Sequence, residues 1–251
     1  MKKYLIILAA LLMALMLAAC GSSSGTPSQE GAENGGQEPA AEEEEAAEPE
    51  VHPYAWLGFQ DMPECDFLNA LAANHYYKKS EMHIDGMSYV SKQINAVDGI
   101  NTYKEDENSK VWSVGGKIVS LNEGSKSYME EDMSDMAEDR EEILKTAMEE
   151  GTNLYGREFR ETGKEVVPIQ EDDKEEYEYY EYYFPEMEES SDNSTTERYY
   201  LKDGDVFAIY TKAALGETVV ESTEIIKKMS QDIPDGTFDL PDTSGYEKIE
   251  F

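Results

Sequence analysis

From about residue 51 onward the chain falls into short stretches where apolar and polar residues alternate, divided by turn pairs. Asp85-Gly86, Asp98-Gly99, Gly115-Gly116, Asn122-Glu123-Gly124 and Asp203-Gly204 are the dividers; such pairs favour the positive φ angles of tight hairpins. Strands are predicted over 75–84, 87–97, 100–106, 110–114, 117–121 and 126–129. The plainest hairpin joins Val111-Trp112-Ser113-Val114 to Lys117-Ile118-Val119-Ser120-Leu121 through Gly115-Gly116. The period then changes: Met136, Ile143, Leu144, Ala147 and Met148 recur at spacings that share one helix face. Ser134 is placed to cap this helix and Gly151 to end it, so one helix is expected over 135–150, lying on the sheet by its Met/Ile/Leu stripe. Strands resume over 164–169 and 176–184. A hairpin follows from 199–202 to 206–210, then a strand over 218–228, and Phe238-Asp239-Leu240-Pro241 closes the domain.

The most conspicuous strand is rich in tyrosine. Alternation sends Tyr177, Tyr179 and Tyr183 to one face and Tyr180 and Tyr182 to the other. A ring with an apolar body and a polar tip suits a cavity wall, an exposed binding surface, or cross-strand pairing that only stabilises a sheet. Acidic residues interleave with these rings, and a cationic partner could sit between ring and carboxylate.

Charge narrows the classes of function. With 55 Asp+Glu against 21 Lys+Arg the chain carries a formal net charge of -34. Nucleic-acid binding needs a basic footprint that no segment beyond the first residues supplies. No motif selects a pair of carboxylates for glycoside chemistry, and Asp203-Gly204-Asp205 is too short for a calcium loop and reads as a turn. His52, His75 and His83 show no spacing that would serve Cys65 as a base. Cys65 sits between Glu64 and Asp66, which raise its pKa, and is read as a structural thiol. The chain is therefore read as non-enzymatic, with no catalytic residues, no metal and no cofactor.

The first residues give its address. Lys2 and Lys3 precede an apolar run from Tyr4 to Leu17 that is short for a membrane span. Leu17-Ala18-Ala19-Cys20 follows, which resembles a bacterial lipoprotein signal with its lipobox. The resemblance implies a signal peptide over 1–19, lipidation of Cys20, and anchoring to the extracytoplasmic face of the cell membrane. An ordinary secretory signal cut near Ala19 is the other reading. Residues 20–51 are mostly Gly, Ser, Pro, Ala and Glu with no Lys or Arg; they cannot bury enough apolar surface to fold and are expected to form a disordered tether. About 30 flexible residues average roughly 30 Å end to end.

Residues 52–251 are expected to form a single domain. Its C-terminal third contains the Tyr-rich strand Glu176 to Phe184 and the hairpin Tyr199-Tyr200-Leu201-Lys202-Asp203-Gly204-Asp205-Val206-Phe207-Ala208-Ile209-Tyr210. It then shows Lys227-Lys228-Met229-Ser230 and Ile233-Pro234-Asp235-Gly236-Thr237-Phe238-Asp239-Leu240-Pro241, with Tyr246 after them. This succession resembles the carrier superfamily of LolA/LolB and LppX/LprG-type lipoproteins. The resemblance implies an α+β fold: a strongly curved antiparallel sheet, an incomplete β-barrel, packed on one or two helices. It further implies an apolar or lipid ligand sheltered in the half-barrel, with Trp112, Val114, Tyr128, Tyr200, Phe207 and Ile209 as expected lining residues. The alternative is an envelope or cell-wall scaffold domain with a filled core and a protein partner. Many strand positions here are polar on both faces, as in Tyr77-Lys78-Lys79-Ser80-Glu81, a departure from those carriers.

Overall fold

The computed structural model describes residues 51–168, 175–185 and 193–249. The lipobox with Cys20, the tether up to residue 50, and Ile169 at the end of an expected strand lie outside these residues. The architecture is α+β, with twelve described strands in one open sheet. The strands are β1 (His75–Ile84), β2 (Val90–Asp98), β3 (Asn101–Glu105), β4 (Ser109–Val114), β5 (Lys117–Asn122), β6 (Ser127–Asp132), β7 (Glu158–Glu165), β8 (Tyr177–Pro185), β9 (Ser194–Lys202), β10 (Asp205–Leu215), β11 (Thr218–Ser230) and β12 (Glu247–Lys248). Their spatial order is β12-β6-β5-β4-β3-β2-β1-β11-β10-β9-β8-β7. Every pairing is antiparallel except that of β12 with β6. Two meanders thus meet where β1 pairs with β11, and the sheet does not close on itself.

The hairpins follow their turn chemistry. Gly115 and Gly116 at φ 56° and 81° join β4 to β5, and Asp203 and Gly204 at φ 54° and 85° join β9 to β10, the paired positive angles that a two-residue hairpin needs. One expectation is corrected and two elements are added. The strand expected at 164–169 is instead Glu158–Glu165, whose sequence has no apolar alternation; edge pairing with β8 supplies its order. Two short elements carried no periodic signal at all, a 3-10 turn at Ala55–Leu57 and helix α1 at Asp66–Ala72.

Helix α2 covers Ser134–Glu150 and ends on Gly151 at φ 69° as expected, but Ser134 is its first helical residue and not its cap: Met133 holds the cap position without a side-chain hydrogen bond. Its packing differs from expectation. Ala147 is its one buried residue, while Met136, Ile143 and Met148 stay 41%, 50% and 37% exposed. The shielded stripe is instead Ala137, Arg140, Leu144 and Ala147, rotated from the apolar stripe, because the helix packs mainly against the 3-10 turn and not on a strand.

Three apolar clusters divide the two faces. On the face that bears the helices, here the inner face, Tyr54, Trp56, Leu57, Phe59, Phe67 and Leu68 pack with Tyr182, Tyr199, Val206 and Ile209. On the outer face, Tyr77, Ala96, Tyr103, Trp112, Val119 and Leu121 lie under Ile233, Phe238 and Tyr246 of the C-terminal segment. That segment is pinned by the Trp112 indole N–H donating to the Thr237 carbonyl at 3.2 Å and by the β12–β6 pairing. The 238–241 stretch closes the domain, as expected, but as a cover and not a strand. The third cluster, also outer, joins Val167, Tyr177, Tyr179, Tyr200 and Ala208.

Candidate functional site

The six residues expected to line a ligand site do not converge on one surface. Trp112, Val114 and Tyr128 come together beneath the C-terminal segment. Tyr200 and Phe207 belong to the outer tyrosine cluster, and Ile209 faces the opposite way, into the inner core. The tyrosine alternation holds: Tyr177 and Tyr179 are outer, Tyr180 and Tyr182 inner.

The outer tyrosines stand over a ladder of charges. Register places Glu181 opposite Arg198 and Tyr179 opposite Tyr200. The Arg198 Nε donates to Glu181 at 2.6 Å, and its Nη1 donates to both oxygens of Glu165 at 2.8 and 3.0 Å. The Tyr200 hydroxyl also donates to Glu165, and the Tyr179 hydroxyl to Glu161 at 3.0 Å. Burial works against the Arg198 charge, but Glu181 and Glu165 outweigh it and raise the pKa. Gly163 is required here, since a Cβ would come within 2.7 Å of the Tyr179 ring. The expected place for a foreign cation is taken by the chain itself: Arg198 lies 4.9 Å from the Tyr179 ring centre, Arg160 lies 4.1 Å from Tyr183, and Lys202 lies 5.6 Å from Tyr177. This ladder is complete within the chain and is structural.

The inner face of β1–β5 is different. Alternation and register put Tyr76, Lys78 and Ser80 of β1, Asn95 and Val97 of β2, Thr102 and Lys104 of β3, Val111 of β4 and Ser120 of β5 on this side. Most of these groups are half-buried. Lys78 reaches Glu224 of β11 at 2.7 Å. Burial pushes the Glu224 carboxyl up, but the Lys78 ammonium and its hydrogen bond prevail and hold it below the usual carboxylate range. Lys104 has no ion pair among the described residues; burial first, and the Lys78 charge second, lower its pKa.

A third cation, Arg157, follows α2. Its guanidinium lies 4.4, 4.7 and 4.9 Å from the ring centres of Phe59, Tyr155 and Phe184. Its Nη1 donates to the Leu57 carbonyl at 2.7 Å, while its Nε is buried without a partner among the described residues. Tyr76 connects it to the lysines: burial raises the phenol pKa, with Tyr155 and Glu224 adding to the rise and Arg157 opposing it. Of these three cations, Lys78 is the one paired with Glu224 among the described residues.

Helix α2 bridges this face. At one end Met133 N–H donates to the Gly116 carbonyl at 2.7 Å and Ser134 lies directly on Gly116; at the other, Leu144 and Ala147 join the inner core. Arg140 stands on its shielded stripe between Ala137 and Leu144. This arrangement can hold an elongated ligand whose chain lies against aliphatic groups and whose polar end meets unpaired cations. Sequence reasoning missed these residues, though Lys78 and Ser80 sharing a face with Tyr76 and Met82 was a readable signal of polar groups turned inward.

Comparison with known proteins adds little to this geometry. No family model matches the chain. No curated protein matches it either. Among solved structures it is similar to a DUF1329 family protein from Desulfovibrio piger, at 11% identity over 66% of this chain and 90% of that one, with a TM-score of 0.31. The functional reading rests on the chain's own residues.

Proposed function

We propose that this chain is a lipoprotein anchored through Cys20 to the extracytoplasmic face of a bacterial membrane, where its incomplete barrel shelters an apolar or lipid ligand without catalysis. The ligand lies on the inner face, between α2 and β1–β5. The observation that carries this reading is the contrast between the faces. The outer face of β1–β6 is covered by the chain's own C-terminal segment, whereas on the inner face α2 spans half-buried residues without sinking its apolar side chains into them. An aliphatic chain laid there would gain about 25 cal/mol for each Å² of apolar surface removed from water.

A filled-core scaffold domain is the second reading, favoured by the solvent-facing Met136 and Ile143 of α2, which would suit a protein partner. The two are separated by native mass spectrometry with lipid extraction on the Cys20→Ser chain, made in a lipid-containing host. A stoichiometric co-purifying acyl species is the expected result. A clean protein mass, with no uptake of added fatty acid or phospholipid, would turn the assignment to the scaffold.

A further inference from the structure

We infer that the cations of the inner face form a headgroup site, and that the ligand is an amphiphile ending in an oxyanion, a carboxylate or phosphate, and not a neutral lipid. The inference rests on the carrier reading above and specifies its ligand.

Its basis is a local reversal of charge. In a chain of net charge -34, register sets Lys78 and Lys104 on one face with Asn95 between them and Glu224 paired to Lys78, and Arg157 lies near Tyr76 of the same face. Lys78 neutralises that carboxylate, so Lys104 and Arg157 are left in excess. Arg157 has aromatic rings, the Tyr199 phenol and a carbonyl around it and forms no ion pair among the described residues, and its Nε is a buried donor without a partner among them. Buried donors are normally satisfied, and a charged one left alone is costly. Lys104 is half-buried beside a like charge, an arrangement that works against folding. Arg140 is half-buried on α2 and forms no ion pair among the described residues. With more than fifty carboxylates available in the chain, cations left without acids on one face match an anion supplied from outside. The aliphatic groups on the same side, Val97, Val111 and Leu144, are placed for the tail.

Titration calorimetry on the delipidated Cys20→Ser chain tests this with probes that share one tail: dodecanoate, dodecanol, and acetate as a headgroup without a tail. Dodecanoate is expected to bind at least about tenfold more tightly than dodecanol, the weight of one charge-assisted hydrogen bond. Lys104→Met is expected to reduce that preference to less than about twofold with dodecanol binding unchanged, while Tm holds or rises by about 2–4 °C as a strained charge leaves. Equal binding of the acid and the alcohol would overturn the headgroup site and leave the carrier reading intact. Uptake of neither would overturn both. Acetate binding as tightly as dodecanoate would show a site for free small anions and overturn the amphiphile assignment. A Lys104→Met chain that loses stability together with both ligands would mark a structural lysine and overturn it as well.

Discussion

At the scale of single residues, the two faces use charge in opposite ways. Arg198 is saturated: Glu165 and Glu181 take its donors and Tyr179 takes its face. Lys104 and Arg157 form no ion pair among the described residues. Removing a saturated cation leaves its acids facing each other, so Arg198→Met should cost roughly 1–3 kcal/mol, reduced from a fully buried case because the partners keep some solvent. Urea unfolding measures this. Adding Glu165→Gln should recover part of the loss, and an Arg198→Met chain as stable as the parent would show the ladder to be ornamental. Cys65 belongs to the inert class: burial first, with Asp205 adding to it, pushes its thiol up to about 11, which leaves little thiolate for chemistry at neutral pH.

At the scale of elements, α2 depends on the β4–β5 turn for its position. A Cβ on Gly116, at φ +81°, would come within 2.4 Å of the Ser134 Cα, whereas one on Gly115, at φ +56°, would meet open space. Both substitutions pay the left-handed cost of about 1 kcal/mol, but only Gly116→Ala must also push the helix start away. Gly116→Ala should therefore lose at least about 2 kcal/mol and weaken ligand uptake, with Gly115→Ala losing about 1 and leaving uptake intact. Thermal unfolding with the dodecanoate titration separates them, and equal effects would argue that α2 is not held there. The rotation of the helix has the same origin. Its ends are fixed by Gly116 and by the 3-10 turn, so the side chains that face the sheet are set by those anchors and not by the apolar stripe.

At the scale of the whole molecule, buried phenols govern the alkaline limit. Tyr76, Tyr103, Tyr182, Tyr199, Tyr200 and Tyr210 all have raised pKa values, with burial the first cause at each. The folded chain keeps protons that the unfolded chain releases near pH 10. Stability from these groups is therefore complete below about pH 10 and falls as pH rises beyond it. Lys104, whose pKa is lowered, pulls the other way, but its gain is complete by about pH 10.4 and it is one group against six. Tyrosinate absorbance should rise together with loss of circular dichroism in one steep step above about pH 10. Gradual ionisation with the sheet intact would contradict the burial of these rings.

Legibility followed the range of the interactions. β1 was readable to its last residue, and the turns at Gly115-Gly116 and Asp203-Gly204 were placed correctly, because alternation and positive φ are local properties that each segment carries alone. The run of strands on either side of the helix was legible in the same way. β7 was not readable: Glu158–Glu165 has almost nothing apolar, and it is a strand because β8 offers it an edge. The inner cations were equally hidden, since Lys78, Lys104 and Glu224 are far apart in the chain and share a face through the pairing of β1 with β11 and β2 and of β2 with β3. Local steric preference and hydrophobic period wrote the strands, the turns and the helix into the chain; which polar groups share a face, and which cations are left without acids, arose from register between distant strands, where pairing over long separations sets the neighbours.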